Sequence, residues 1–205
     1  MLIRNKTVYV YDIEIFPNVF HCVVKNTETG ERLFFEISER KNNLQELVDL
    51  FWTVRNQSQI GIWERNYTTN LQFKTDKIFC GYNNIHYDNP IINYIIDFHK
   101  VMLKMSYSEI CASLFKLSNL IIQSTDTNFS SWTKWKYKIY FETLDLLTML
   151  YSQKLSAGLK EMQGTMQFRN VQEYEGDFQD YLPVSEIPKM IEYNINDVDS
   201  TEELL

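Results

Sequence analysis

Residues 6–14 read Lys6-Thr7-Val8-Tyr9-Val10-Tyr11-Asp12-Ile13-Glu14. β-Branched and aromatic side chains fill this run and acids close it, which predicts a strand. Successive side chains on a strand point to opposite faces, so Asp12 and Glu14 project side by side while Ile13 packs on the other face. Two carboxylates held that close repel each other unless a cation lies between them. The plain alternative is a strand end with solvated acids, because Asp-x-Glu is a common chance pattern.

Outward from this strand, Asn18 to Val24 and Glu31 to Ile37 are two further strands, split by the turn Thr27-Glu28-Thr29-Gly30. Asn42 to Arg55 carries Leu44, Leu47, Val48, Leu50, Phe51 and Val54 at helical spacing. Gln57 to Asp76 is polar and irregular, and Lys77 to Tyr82 is a short buried strand. Asn89-Pro90 opens an apolar helix through Ile91, Ile92, Tyr94, Ile95 and Phe98, with Pro suited to a first turn. Ser106 to Leu117 is a second helix capped by Ser106 or Ser108, and Ser118 to Lys134 is a polar, mobile connection. Lys136 to Glu142 alternates as a strand does. Helical stretches follow at Leu144 to Gln153 and Ala157 to Met166, then a last helix from Ser185 to Leu205 with Pro188 in its first turn. Three strands in series, then strands alternating with helices, predict an α/β fold, and that ordering resembles a ribonuclease-H-like mixed sheet flanked by helices.

The 205 residues suffice for one well-filled core, so residues 1–205 are expected to form a single domain. The chain stops in or just after its last helix, which suggests a domain of a longer protein or a small protein whose final element is functional. A net charge of −7 argues against a protein that merely coats nucleic acid, since such binding is driven by Lys and Arg. It is compatible with a nuclease, where a carboxylate site attracts phosphate once its metals arrive. Cys22, Cys80 and Cys111 are odd in number and lack Cys-x-x-Cys spacing, so they read as reduced and buried. No apolar run reaches the length of a membrane span and no signal peptide opens the chain, so a cytoplasmic, soluble protein is expected. His21, His86 and His99 are scattered, without metal-ligand spacing.

Two other stretches carry acids. Gly81-Tyr82-Asn83-Asn84-Ile85-His86-Tyr87-Asp88 leaves the middle strand, and Asp88 there can either cap the following helix or bind metal. In Tyr193-Asn194-Ile195-Asn196-Asp197 the Tyr193 hydroxyl and the Asp197 carboxylate share one helix face at i and i+4. The face with Ile187, Met190, Ile191 and Ile195 packs inward, while Asp199, Glu202 and Glu203 read as solvated charge. Asp145 reads as a helix cap.

Asp-x-Glu on the first strand, Asn and Tyr-Asp after a middle strand, and Tyr-x₃-Asp on the last helix together resemble the three motifs of the DEDDy 3′→5′ exonucleases. That ribonuclease-H-like superfamily includes polymerase proofreading domains and ribonuclease D enzymes. The resemblance spans Asp12 to Asp197. The histidine variant wants His five residues before Asp197, where Glu192 stands, so the tyrosine class matches better. Asp12-Ile13-Glu14 followed by Phe16-Pro17-Asn18, then Gly81 to Pro90, is most similar to exonuclease domains of family B DNA polymerases and related tailed-phage exonucleases. The segment from Gly158 to Gln163, followed by Asn170-Val171-Gln172, is similar to such phage proteins.

The resemblance implies hydrolysis of phosphodiesters at the 3′ end of single-stranded DNA by two Mg²⁺ or Mn²⁺ ions. Asp12, Glu14, Asp88 and Asp197 would be the metal ligands, Asp12 bridging both ions. Tyr193 would orient the attacking water. Asn83 or Asn84 would bond the terminal nucleotide, Tyr87 would stack on it or else pack beneath the strand, and Ile15 would lie against its sugar or base. Many relatives carry Thr at the position of Ile15, and Ile removes that hydroxyl contact. Lys160 would neutralise phosphate charge or else be a surface lysine. Trp132 to Lys138 interleaves bases with aromatics and reads as a single-strand track or as a strand with Trp135 and Tyr137 on one side. The implied partners are a DNA 3′ end and a DNA polymerase domain or subunit, with no membrane. The alternatives are an RNA-trimming enzyme of the same fold and a silent module that binds a replisome partner.

Overall fold

The computed structural model describes residues 1–3, 5–54, 75–124, 132–151 and 157–205. Its centre is a mixed sheet of six strands: β1 (Leu2–Ile3), β2 (Lys6–Phe16), β3 (Val19–Asn26), β4 (Arg32–Ile37), β5 (Lys77–Gly81) and β6 (Thr143–Asp145). The order is β4-β3-β2-β5-β6, with β1 paired to β2. β4, β3 and β2 are antiparallel neighbours, whereas β5 runs parallel to β2 and β6 parallel to β5. The helices are α1 (Leu44–Phe51), α2 (Asp88–Met102), α3 (Tyr107–Gln123), α4 (Thr133–Lys136), α5 (Leu146–Leu150), α6 (Leu159–Thr165) and α7 (Ile187–Leu204). None in the described residues is long and apolar enough to cross a membrane.

The alternation along β2 sorts its side chains. Tyr11, Ile13 and Ile15 enter a large apolar core with residues of α1, α2 and α3, centred on rings of Tyr11, Phe51, Phe79 and Phe141. Phe51 and Phe79 stack with centroids 4.3 Å apart, and Tyr11 meets Phe51 edge-on at 5.1 Å. Val8 and Val10 on the other face join Val23, Cys80, Leu146 and Val198 of α7. Further along that face Phe16 and Val19 join Leu182, Ile187 and Met190. Asp12 and Glu14 lie in sequence between these two apolar clusters.

Helix ends follow their local chemistry. Ser106 caps α3 through the reciprocal box with Glu109, as expected, but the helix runs on to Gln123 because Ser118 and Ile121 are also buried. Pro188 sits in the first turn of α7, after a 3-10 turn at Val184–Glu186. The three cysteines are free and buried. Residues 57–74 of the irregular stretch, 125–131 of the connection from Ser118, and 152–153 of the stretch from Leu144 to Gln153 lie outside the described residues.

The expected strand over Lys136 to Glu142 does not form; the third parallel strand is Thr143–Asp145, and Thr133–Lys136 is a helical turn. Asn93 of α2 captures the carbonyls of Trp135 and Lys138 at 2.8 and 2.9 Å. The Tyr140 carbonyl takes the amides of Thr53 and Val54, both at 2.9 Å. With these carbonyls engaged by side chains and a crossing segment, the run meets the sheet only at its end, where the Glu142 carbonyl takes the Phe79 amide at 2.9 Å. Trp135 is buried, its indole N–H on Asp97 at 2.9 Å, while Tyr137 is exposed, so the two do not share a face. The proposed aromatic track is largely core packing.

Candidate metal centre

Strand β2 delivers Asp12 and Glu14 to the α7 side of the sheet, and α7 delivers Asp197 from the far end of the chain. Carboxylate oxygens of all three lie within 4.8 Å of one another. Glu14 and Asp197 are buried and Asp12 is half-buried. Burial, then Asp88, Glu14 and Asp197, hold the Asp12 carboxyl well above its usual range, with Lys160 pulling the other way. Burial, then Asp197 and Asp88, do the same to Glu14. Such a cluster is stable only if protons or cations share the site.

Asp88 does not cap α2. The N-cap is Tyr87, whose side chain makes no capping bond, and Asp88 is the first residue of the helix. It is 4% exposed, and its Oδ1 has no hydrogen-bond partner. Burial raises its carboxyl to about 7, against the pull of its own backbone amide and that of Ile13, with Asp145 adding to the rise. It falls outside the 4.8 Å triad but within its electrostatic reach.

Lys160 on α6 forms an ion pair with Asp197, and its ammonium sits 4.5 Å from the Tyr193 ring centre. It therefore belongs to the acid cluster and is no ordinary surface lysine. The Tyr193 phenol is driven well above its usual pKa, by burial first and then by Asp197, Glu14 and Asp12. It stays protonated and can orient a water but not deprotonate one. A cleft of about 360 Å³ borders Tyr193, and the glutamates 173, 175 and 192 in its wall do not favour a phosphate.

The loop at Asn83 to Tyr87 is held from beneath. Asp145 caps α5 through the Thr148 amide, as expected, but it also takes the amides of Asn83 and Ile85 at 3.1 and 3.0 Å. Asn83 has φ of 62°, tolerated by Asn, and stays half-exposed. Asn84 is fully buried, its amide on Thr143 Oγ1 and the Leu144 carbonyl, both at 3.0 Å. A Cβ on Gly81 would come 2.8 Å from the Asn84 Cβ, so glycine is required there. That leaves Asn83 as the member of the pair facing outward. Tyr87 bonds Ser118 at 2.7 Å and packs on the main core, and Ile15 is buried in that core. Both are in the packing arrangement rather than open to a base.

Three residues that the sequence did not single out for the site join the acids. His21 lies opposite Glu14 across the β2–β3 ladder and is fully buried. Asn194, also fully buried, donates to Asp12 Oδ2 at 2.5 Å and faces His21 Nδ1 with its oxygen at 3.1 Å. Gln163 of α6 reaches Asp197 at 3.3 Å and Ser200 at 2.6 Å. Asp199 and Glu202 are ion-paired rather than free charges: Lys25 bonds both, at 2.7 and 2.5 Å, and Arg32 bonds Asp199 at 2.7 and 2.9 Å.

No protein family, curated protein or solved structure matches this chain.

Proposed function

We propose that this chain is a 3′→5′ exonuclease of the DEDDy type on a ribonuclease-H-like sheet, acting on single-stranded DNA with two Mg²⁺ or Mn²⁺ ions. The observation that carries the reading is the meeting of Asp12, Glu14 and Asp197 within 4.8 Å, although Asp197 stands 183 positions after Glu14 in the sequence. The sheet order β4-β3-β2-β5-β6, a hairpin series joined to parallel strands, supports the fold assignment.

The donors fit hard divalent cations. They are carboxylate oxygens without a thiol or imidazole among them, and Asp88 adds a buried oxygen that lacks a partner. Asp12, Glu14, Asp197 and Asp88 are the residues to hold the ions. The bound pair supplies the charge that lowers the pKa of the attacking water and stabilises the leaving 3′ oxygen. Tyr193, kept protonated by its acidic surroundings, fixes the orientation of that water. Lys160 balances Asp197 and stands ready to meet phosphate charge. Asn83 is the outward side chain of its loop and is the candidate contact for the terminal nucleotide. Val8, Val10, Phe16 and Met190 flank the acids with apolar surface, which limits water and strengthens each charge interaction within.

The test is shortening of 5′-labelled single-stranded DNA and RNA oligonucleotides by the full chain with Mn²⁺ or Mg²⁺. Stepwise loss of 3′ nucleotides is expected, faster on DNA, and abolished by Asp12→Ala or by EDTA. Undiminished cutting under either condition, or no cutting by the wild-type chain, overturns the proposal.

A further inference from the structure

We infer that Asn194 and His21 form a positioning relay that sets the orientation of Asp12, with Asn194 as its centre; this rests on the metal-site reading above. The relay spans three elements: His21 on β3, Asn194 on α7 and Asp12 on β2. Register places His21 directly across from Glu14, hence on the acid face of the sheet. Asn194 stands three residues before Asp197, so one helix face presents both to the acids of β2.

The hydrogen bonds have one consistent direction. With a cation in the site Asp12 is ionised and only accepts, so the Asn194 amide nitrogen must face it, as it does at 2.5 Å. Its oxygen then faces His21 Nδ1 at 3.1 Å, and that nitrogen must carry the proton. The remaining ring nitrogen, Nε2, is a bare lone pair, buried and without a partner. An unsatisfied buried polar atom is destabilising, and apolar side chains at both positions would avoid that loss. The pair is therefore poorly explained by stability. What it does provide is a fixed grip on Asp12 Oδ2 that leaves Oδ1 unengaged by it, inside a cluster whose mutual repulsion would otherwise turn the carboxylates apart. Partners that orient a metal ligand in this way are typically worth about 10–100-fold in metal affinity or activity.

The experiment compares the full-length wild type with Asn194→Leu, His21→Leu and His21→Asn, the last retaining a donor near the Nδ1 position. Mn²⁺ affinity is measured by titration followed by electron paramagnetic resonance, alongside oligonucleotide kinetics and thermal melting in EDTA. Asn194→Leu is expected to weaken Mn²⁺ binding and to lower kcat, each by about 10–100-fold. Its KM for the oligonucleotide should hold within about twofold, and in EDTA it should remain folded at the assay temperature, its melting temperature lowered only modestly by the His21 Nδ1–H left without an acceptor. His21→Leu should act in the same direction, and His21→Asn should bind Mn²⁺ at least several-fold more tightly than His21→Leu. Wild-type Mn²⁺ affinity in Asn194→Leu, or losses that simply follow a lowered metal-free melting temperature, overturns the relay while leaving the exonuclease reading intact. If Asn194→Leu does not fold, equal Mn²⁺ affinities of His21→Leu and His21→Asn overturn it. A wild-type chain that neither binds Mn²⁺ nor cuts overturns the exonuclease reading itself.

Discussion

The two faces of the sheet are built on different principles. Toward α1, α2 and α3 the face is one continuous apolar core, with Tyr11, Phe51, Phe79 and Phe141 interlocked. Toward α7 the apolar cover is split into two clusters, and the gap between them holds Asp12, Glu14, Asp197, Asn194 and His21. Both faces are covered by helix, so the difference is not one of solvent exposure. The first face is organised for stability, and the second gives some up to hold charge where water is scarce.

That contrast breaks most clearly under mutation. Glu14→Gln, on the charged face, should lower 3′-end cleavage by about 10³-fold or more, which is roughly 4 kcal/mol of transition-state stabilisation. The same change relieves repulsion in the metal-free protein, so melting in EDTA should move upward. A simultaneous loss of activity and of metal-free stability would mean that Glu14 is structural. Phe51→Ala, on the apolar face, should do the reverse, destabilising the fold by about 3–5 kcal/mol in denaturant titration. Its activity per folded molecule should be unchanged.

Titration sharpens the comparison further. Asp88 rises to about 7 in the folded protein, against an ordinary value near 4 in the unfolded chain. The folded state therefore binds the proton more tightly, and its stabilising contribution is complete below pH 4 and lost as pH climbs toward 7. Asp12 and Glu14 shift in the same direction and reinforce this. His21, depressed to about 4, opposes it, since stability gained from a neutral buried imidazole grows as pH rises from about 4 to 6.5. Melting in EDTA should accordingly fall between pH 5 and 7.5 for the wild type. Asp88→Asn should flatten that slope by on the order of 2–4 kcal/mol across the interval. An unchanged slope would remove Asp88 from the set of groups that pay for the crowding.

How much of this was legible in the sequence depends on the range of the interaction. Period two along β2 put Asp12 and Glu14 on one face, and the i, i+4 rule on α7 paired Tyr193 with Asp197; both are local and both describe the structure. Asp145 was legible only as a cap, because its bonds to the amides of Asn83 and Ile85 join segments about sixty residues apart. The run from Lys136 to Glu142 alternates properly yet forms no strand, since Asn93 and the Thr53–Val54 amides claim its carbonyls. Tertiary context overrode pattern there. His21 left one usable signal. The two-residue turn Pro17-Asn18 pairs Phe16 with Val19, and counting back from that pair sets His21 opposite Glu14. Its bond to Asn194 needed the docked helix.

The smallest expected effect lies on the outer edge of the charged face. Lys25 and Arg32 clamp Asp199 and Glu202, tying the last turns of α7 to the β3–β4 hairpin. These side chains are partly solvated, at 14% and 33% exposure for the two bases, so the pairs gain little over water. Arg32→Ala should destabilise by less than about 1 kcal/mol, and the loss should shrink further in high salt. Yet the clamp sits only two residues beyond Asp197, on the helix that carries a third of the acid triad. If α7 is seated by its buried face, through Ile187, Met190 and Val198, then Arg32→Ala leaves Mn²⁺ affinity at the wild-type level. A severalfold loss of Mn²⁺ affinity would show instead that surface pairs set the register of α7, and with it the spacing between Asp197 and the acids of β2.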